Sequence, residues 1–152
     1  MRPGKCSDRI ERIKDVEKEH QVAIIAQGVL DAKLEENPST LRRRGLAKSD
    51  FDNFTRNLEM TYLIRIFAEF ESGLREYWKS ISKKKTRPQV SDLIKSISSR
   101  RRADFKEIKN VENVQNYRNK LIHDEHSEAQ PVDLMEARKS LCALFQRLPE
   151  DW

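Results

Sequence analysis

Tyr117, Arg118, Asn119, Lys120, Leu121, Ile122, His123 and Asp124 form the stretch of this chain best equipped for chemistry on a phosphodiester. Arginine is always charged and can grip a phosphate with two parallel hydrogen bonds, while histidine gives and takes a proton near neutral pH. A ribonuclease working without metal needs both tools. One group must activate the ribose 2′-hydroxyl or protonate the leaving 5′-oxygen, and a cation must stabilise the crowded, negatively charged phosphorane between those steps.

Spacing complicates the pair. At about 100° per residue, the five-residue step from Arg118 to His123 leaves them roughly 140° apart around a helix. Asn119 and His123, four apart, share a face, and the Asn amide could hold the imidazole or a ribose oxygen. Three arrangements reconcile Arg118 with His123: the long arginine wraps round, the helix ends near His123, or two copies of the segment meet. A twofold dimer brings the same patch from each subunit together, so both Arg and both His would share one cleft.

The elements that must position these residues are helical. Ile10, Ile13, Val16, His20, Ala23, Gln27, Leu30 and Leu34 recur at three- and four-residue steps, predicting a helix from about Asp8 to Glu36, with Asp8 and Glu11 as a capping pair. Asn37, Pro38 and Ser39 stop it, and Leu41 to Lys48 reads as a basic loop. Ser49 or Asp50 can cap the next helix, whose stripe of Phe51, Phe54, Leu58, Leu63, Phe67, Phe70, Leu74, Trp78 and Ile81 is the strongest periodicity in the chain. That stripe is expected to be the spine of a core, with apolar surface left for a neighbour. After Lys83 to Pro88, Ser91 can cap a short helix carrying Leu93, Ile94 and Ile97. A further helix, or two joined segments, runs from Asp104 to His123 on Phe105, Ile108, Val111, Val114, Tyr117 and Leu121. Asp124 to Gln130 is polar and loop-like. The last helix is expected to have Pro131 in its first turn, to carry Leu134, Leu141, Phe145 and Leu148, and to stop at Pro149.

Composition agrees with this reading and excludes others. The 152 residues make a single domain, 1–152, with 1–8 and 150–152 expected to be loosely held. Apolar residues are 37% and charged residues 36%, with four Gly and five Pro, too few for a turn-rich sandwich. The fold class is therefore all-α, a bundle of about four main helices plus a short one. No apolar run approaches the roughly 20 residues that span a bilayer, and charges fill Met1 to Arg12 where a signal peptide needs an apolar stretch, so a cytoplasmic protein without a membrane partner is expected. Cys6 and Cys142 stand far apart and are read as reduced thiols, Cys142 in the core. The formal charge of +5 permits an anionic partner without demanding one.

Other chemistry-bearing residues have plainer readings. His126 follows His123 by three with Asp124 and Glu125 between, but no further Cys or His lies nearby, so neither a metal site nor a cofactor is expected. His20 reads as a hydrogen-bonded core or interface histidine. Asn110, Asn113, Asn116 and Asn119, every third residue, form a polar rail or merely a solvated edge. The triplets Arg42 to Arg44, Lys83 to Lys85 and Arg100 to Arg102 fall in loops, where cations reach phosphates without base specificity.

The Arg118, Asn119 and His123 pattern resembles the signature of the HEPN superfamily, which carries Arg, four to six residues and His, commonly with a polar residue just after the Arg. The helix through Met60 to Ser80 looks like that family's central helix, and Pro131 through Leu148 like its closing helix, so the resemblance covers about Ser49 to Pro149. It implies a HEPN-like helical bundle that forms a homodimer with a composite site, cuts RNA without metal and leaves a 2′,3′-cyclic phosphate, as part of a toxin–antitoxin, phage-defence or RNA-processing system. Arg118 would bind the scissile phosphate, His123 transfer the proton and Asn119 orient one of them. Tyr117, Lys120, Lys83, Lys84 and Lys85 would contact RNA, and an antitoxin or other protein could be a further partner. One branch carries a Tyr two residues after the His; Glu125 stands there, so modification of such a Tyr is not expected. The alternative is an inactive HEPN-like dimer that binds RNA, nucleotide or a protein.

Overall fold

The computed structural model describes residues 5–83, 85–123 and 129–152. Six helices follow one another: α1 (Lys5–Glu36), α2 (Ser39–Arg42), α3 (Lys48–Ile81), α4 (Val90–Arg100), α5 (Phe105–His123) and α6 (Leu134–Phe145). Among the described residues there is no strand, and no helix is long and apolar enough to cross a membrane.

The long helices α1 and α3 run antiparallel, as three polar contacts in opposite chain order show: Arg9 with Glu76, Glu19 with Arg65, and Gln27 with Thr55. Helix α6 lies antiparallel to α1, the Cys6 thiol donating to the Phe145 carbonyl at 3.0 Å and Arg138 pairing with Glu17 at 2.6 Å. Helix α5 packs antiparallel on α6, with Arg147 bound to Glu107 at 2.9 Å. Phe67 and Phe70 of α3, Phe145 and Leu141 of α6, Ile13 of α1 and the α4 stripe Leu93, Ile94 and Ile97 are fully buried between them. Each such side chain contributes about 1.5–3 kcal/mol of hydrophobic burial. Phe70 meets Phe145 edge-on at 5.2 Å, and Gly73 lies directly under the same ring.

The main core ends near Tyr62 on α3 and Val16 on α1. Beyond it the second half of α1 and the first half of α3 form a two-helix arm, in which Phe51 and Leu58 are buried and Val22, Ile24, Ile25, Val29 and Phe54 are exposed. The aromatic stripe of α3 is thus absorbed almost entirely by its own chain. The apolar surface left over is chiefly on α1.

Several helix ends depart from the sequence expectation. Asp8 lies inside α1 and pairs with Arg12 at 3.3 Å; the helix extends back to Lys5 because the Cys6 and Ser7 amides are taken by the carbonyl and carboxylate of Glu150. Of the ends expected to be loosely held, 1–8 and 150–152, residues 1–4 lie outside the described residues, while Cys6 and Ser7 are tied to Glu150 and Trp152 packs on Tyr77 at 5.5 Å. A helical turn, α2, interrupts the basic loop. Asp50 accepts a hydrogen bond from the Ala47 amide at 2.8 Å, the return half of a capping box; the Ala47 side chain has no oxygen to supply the other half, and its backbone carbonyl accepts from the Asp50 amide at 3.1 Å instead. Pro131 precedes α6 by three residues, because Asp133 caps the helix through the Glu136 amide at 2.8 Å. Phe105, at the first turn of α5, is 77% exposed beside Lys109, since the helix reaches the core only at Val111.

Both thiols are buried. Burial pushes the Cys142 thiol up to about 11, and burial first, then the Glu150 carboxylate, raises that of Cys6. Neither should react with a disulfide reagent at pH 8 until the chain is unfolded. Because the folded state retains the Cys142 proton that the unfolded chain loses from about pH 8.5, the contribution of this thiol to stability should be constant below that pH and fall, by on the order of 2 kcal/mol, as pH rises toward about 11. Urea titrations at pH 7.5 and 10.5 check this, and Cys142→Ala should flatten the difference.

Candidate functional site

Helix α5 carries the Arg118, Asn119 and His123 constellation and is held by Val111 and Val114, both buried, with Tyr117 and Leu121 packed at the edge of the core. Arg118 follows Val111 by seven and Val114 by four, so its stem continues the buried stripe. Its guanidinium accordingly lies over the Phe67 ring, 5.4 Å from the centroid, and its Nε is buried without a hydrogen-bond partner among the described residues. The Nη1 donates to Asn119 Oδ1 at 2.9 Å. Asn119 therefore orients the arginine rather than the histidine.

The other half-buried arginines have their charge or donors met by oxygen. Arg9 pairs with Glu76, Arg75 with Glu71, Arg138 with Glu17 and Arg147 with Glu107, while Arg101 donates to the Arg147 carbonyl at 2.6 Å. Arg118 forms no ion pair with a described carboxylate, and its polar partner is a neutral amide. A half-buried cation facing an aromatic ring, with unengaged N–H donors, retains its full attraction for an anion.

His123 is the last residue of α5 and is exposed. About 140° around the helix and some 7.5 Å along it separate His123 from Arg118. No hydrogen bond or ring contact joins the two, and the arginine wraps toward Phe67 instead. Tyr117 and Lys120 are half-buried beside them.

No family model, curated protein or solved structure matches this chain.

The remaining sequence candidates scatter. His20 is half-buried against Tyr62 at 5.3 Å, with its Nε2 buried and not hydrogen-bonded. Asn113 makes two hydrogen bonds of 3.1 Å with the backbone of Gln130, bracing the approach to α6, which takes it out of any polar rail. Arg100 stacks on Trp78 and Arg101 holds Arg147, so that triplet is partly structural. Lys83 and Lys85 line a cavity at the other end of α3. The readings on Lys84, Asp124, Glu125 and His126 lie outside the described residues. Among the described residues no three His, Cys, Asp or Glu side chains gather as a metal ion would require. The sequence reading missed Lys79 and took Arg87 only as part of the basic break before Pro88; both share the cavity with Lys83 and Lys85, and the signal was the density of cations from 79 to 87.

Proposed function

We propose that this chain is a metal-independent endoribonuclease of the HEPN type that acts as a homodimer. The observation that carries the reading is Arg118: a cation fixed by Phe67 and Asn119, not neutralised by a described carboxylate, on the same helix as an exposed histidine. In the reaction the ribose 2′-oxygen attacks phosphorus, its proton passes to an imidazole, the P–O5′ bond breaks and the leaving oxygen takes a proton, giving a 2′,3′-cyclic phosphate and a 5′-hydroxyl. Arg118 would hold the non-bridging oxygens as their charge grows. His123 would move the proton.

Two copies suit this chemistry because one protomer keeps Arg118 and His123 apart. The surface area supports association: the chain exposes 10294 Å², whereas a folded monomer of 17.9 kDa exposes about 8,000 Å². A stable interface takes about 800 Å² from each partner. The exposed face of Val22, Ile25 and Val29 is apolar, and its arm leaves the bundle at the end where Glu59 accepts from the Leu134 amide. Helix α6 starts there and the antiparallel α5 reaches His123 there, so a twofold partner covering the arm could bring a second His123 to the same end of the bundle.

Purified protein should cleave single-stranded RNA in the presence of EDTA, with cyclic phosphate ends, and should scatter light as a dimer at tens of micromolar. Activity that appears only with an added divalent ion would overturn the mechanism. A monomer that cleaves with full rate would overturn the composite site.

A further inference from the structure

The last turns of α3, the segment after it and the start of α4 enclose a cavity of about 610 Å³, within the range of small-molecule sites. Lys79, Lys83, Lys85 and Arg87 line it, and no described carboxylate does. None of the four forms an ion pair with a described carboxylate, although acidic residues number 25 against 30 Lys and Arg in the chain. Arg75 differs: Glu71 meets its charge at 2.8 Å and the Pro88 carbonyl accepts from its Nη1 at 2.9 Å, so it fastens the rim to α3. Like charges gathered around one concavity raise the local concentration of anions.

The wall beside these cations is apolar, made by Trp78 and Pro88 with Leu93 behind them. Trp78 is half-buried, Arg100 lies 5.5 Å from its ring centroid, and its Nε1 is buried without an acceptor. The indole therefore offers ring surface rather than a hydrogen bond. A flat aromatic surface next to clustered cations complements a planar base joined to a phosphate.

We propose that this cavity binds a nucleotide unit, its phosphate oxygens on Lys79, Lys83, Lys85 and Arg87 and its base against Trp78 and Pro88. The site is separate from Arg118: Trp78 follows Phe67 by eleven residues on α3, about 16 Å along the axis. The same chemistry can arrive as a free nucleotide or as one residue of a single-stranded RNA, and the cavity does not depend on cleavage at His123.

Replacing Trp152 by Phe leaves Trp78 as the only tryptophan, so its emission reports the cavity directly. ADP should quench it saturably, inorganic pyrophosphate should bind at least tenfold more weakly, and Lys83→Glu, Lys85→Glu and Arg87→Glu together should weaken ADP at least tenfold. All three side chains are exposed, so folding should be kept, and Arg87→Ala alone should show a smaller loss in the same direction. A 2′-O-methyl RNA decamer that displaces ADP and binds tenfold tighter marks the strand as the source; a decamer that binds more weakly than ADP marks the free nucleotide. Absent quenching, equal affinity in the triple variant, or pyrophosphate matching ADP would overturn the proposal. His123→Ala should bind ADP as the parent does; loss of ADP there would move the nucleotide to α5 and sink the cavity while leaving the cleavage reading standing.

Discussion

Arg118→Met should lower RNA cleavage by about 10²- to 10³-fold while leaving the melting temperature unchanged or higher. The two readouts separate a functional arginine from a structural one. The methionine stem can keep packing on Phe67, where the guanidinium now sits 5.4 Å from the ring centroid. It also removes a buried Nε donor that has no acceptor among the described residues, a defect that costs about 1–3 kcal/mol. A residue retained at such a cost is expected where function needs the charge. Arg118→Lys should keep the charge but lose the two-pronged grip and fall between parent and Met. Asn119→Ala should weaken cleavage more mildly, because it frees the Nη1 that Asn119 now holds at 2.9 Å without removing the cation. His123→Ala should abolish cleavage by a different route, removing a proton transfer worth about 10² to 10⁴ in rate, with no change in stability because the side chain is exposed. A marked drop in melting temperature for Arg118→Met, with cleavage intact, would assign the arginine to the fold alone.

The helices were legible in the sequence where burial is one-sided and continuous. The α3 stripe from Phe51 to Ile81 has a period of 3.6 residues over more than eight turns, and α3 runs Lys48–Ile81. Helix ends were less legible because tertiary contacts decide them. Asp8 and Glu11 have the spacing of a cap, yet Glu150, more than 140 positions away, supplies the acceptors that let α1 begin earlier. At the candidate site the sequence indicated the angular separation of Arg118 and His123, because helix geometry fixes it. It also held the burial of Arg118, at seven from Val111 and four from Val114, but a charged residue on an apolar register is easily assigned to solvent. The basic cavity was half legible: Lys83 to Lys85 stand out as a run, while Lys79 on α3 and Arg87 beyond join them only when the chain turns back at Pro88.

Phe145→Ala should destabilise the fold by about 3–5 kcal/mol, the range for a large ring removed from a packed core. At this chain length that corresponds to a fall of roughly 6 to 20 °C in melting temperature. The ring is fully buried, edge-on to Phe70 at 5.2 Å, and a Cβ at Gly73 would lie 2.6 Å from its Cζ and 3.0 Å from its Cε1. Gly73→Ala should therefore cost about 1–3 kcal/mol from overpacking, since Phe70 leaves the Phe145 ring nowhere to turn. Gly28 in α1 is the control: a Cβ there meets nothing within 4 Å, so Gly28→Ala should stabilise by up to about 1 kcal/mol through helix propensity alone. The two substitutions at the α3–α6 contact should not add. In Phe145→Ala the space under the ring is empty, so Gly73→Ala regains helix propensity there and fills part of the void, and the double variant should be more stable than the sum of the singles by at least about 1 kcal/mol. Urea unfolding of the four proteins in that cycle measures the coupling. Additive losses would mean that α3 and α6 do not meet through Gly73 and Phe145, and with that contact would go the packing that holds Phe67, nearly two helical turns before Gly73, beneath Arg118.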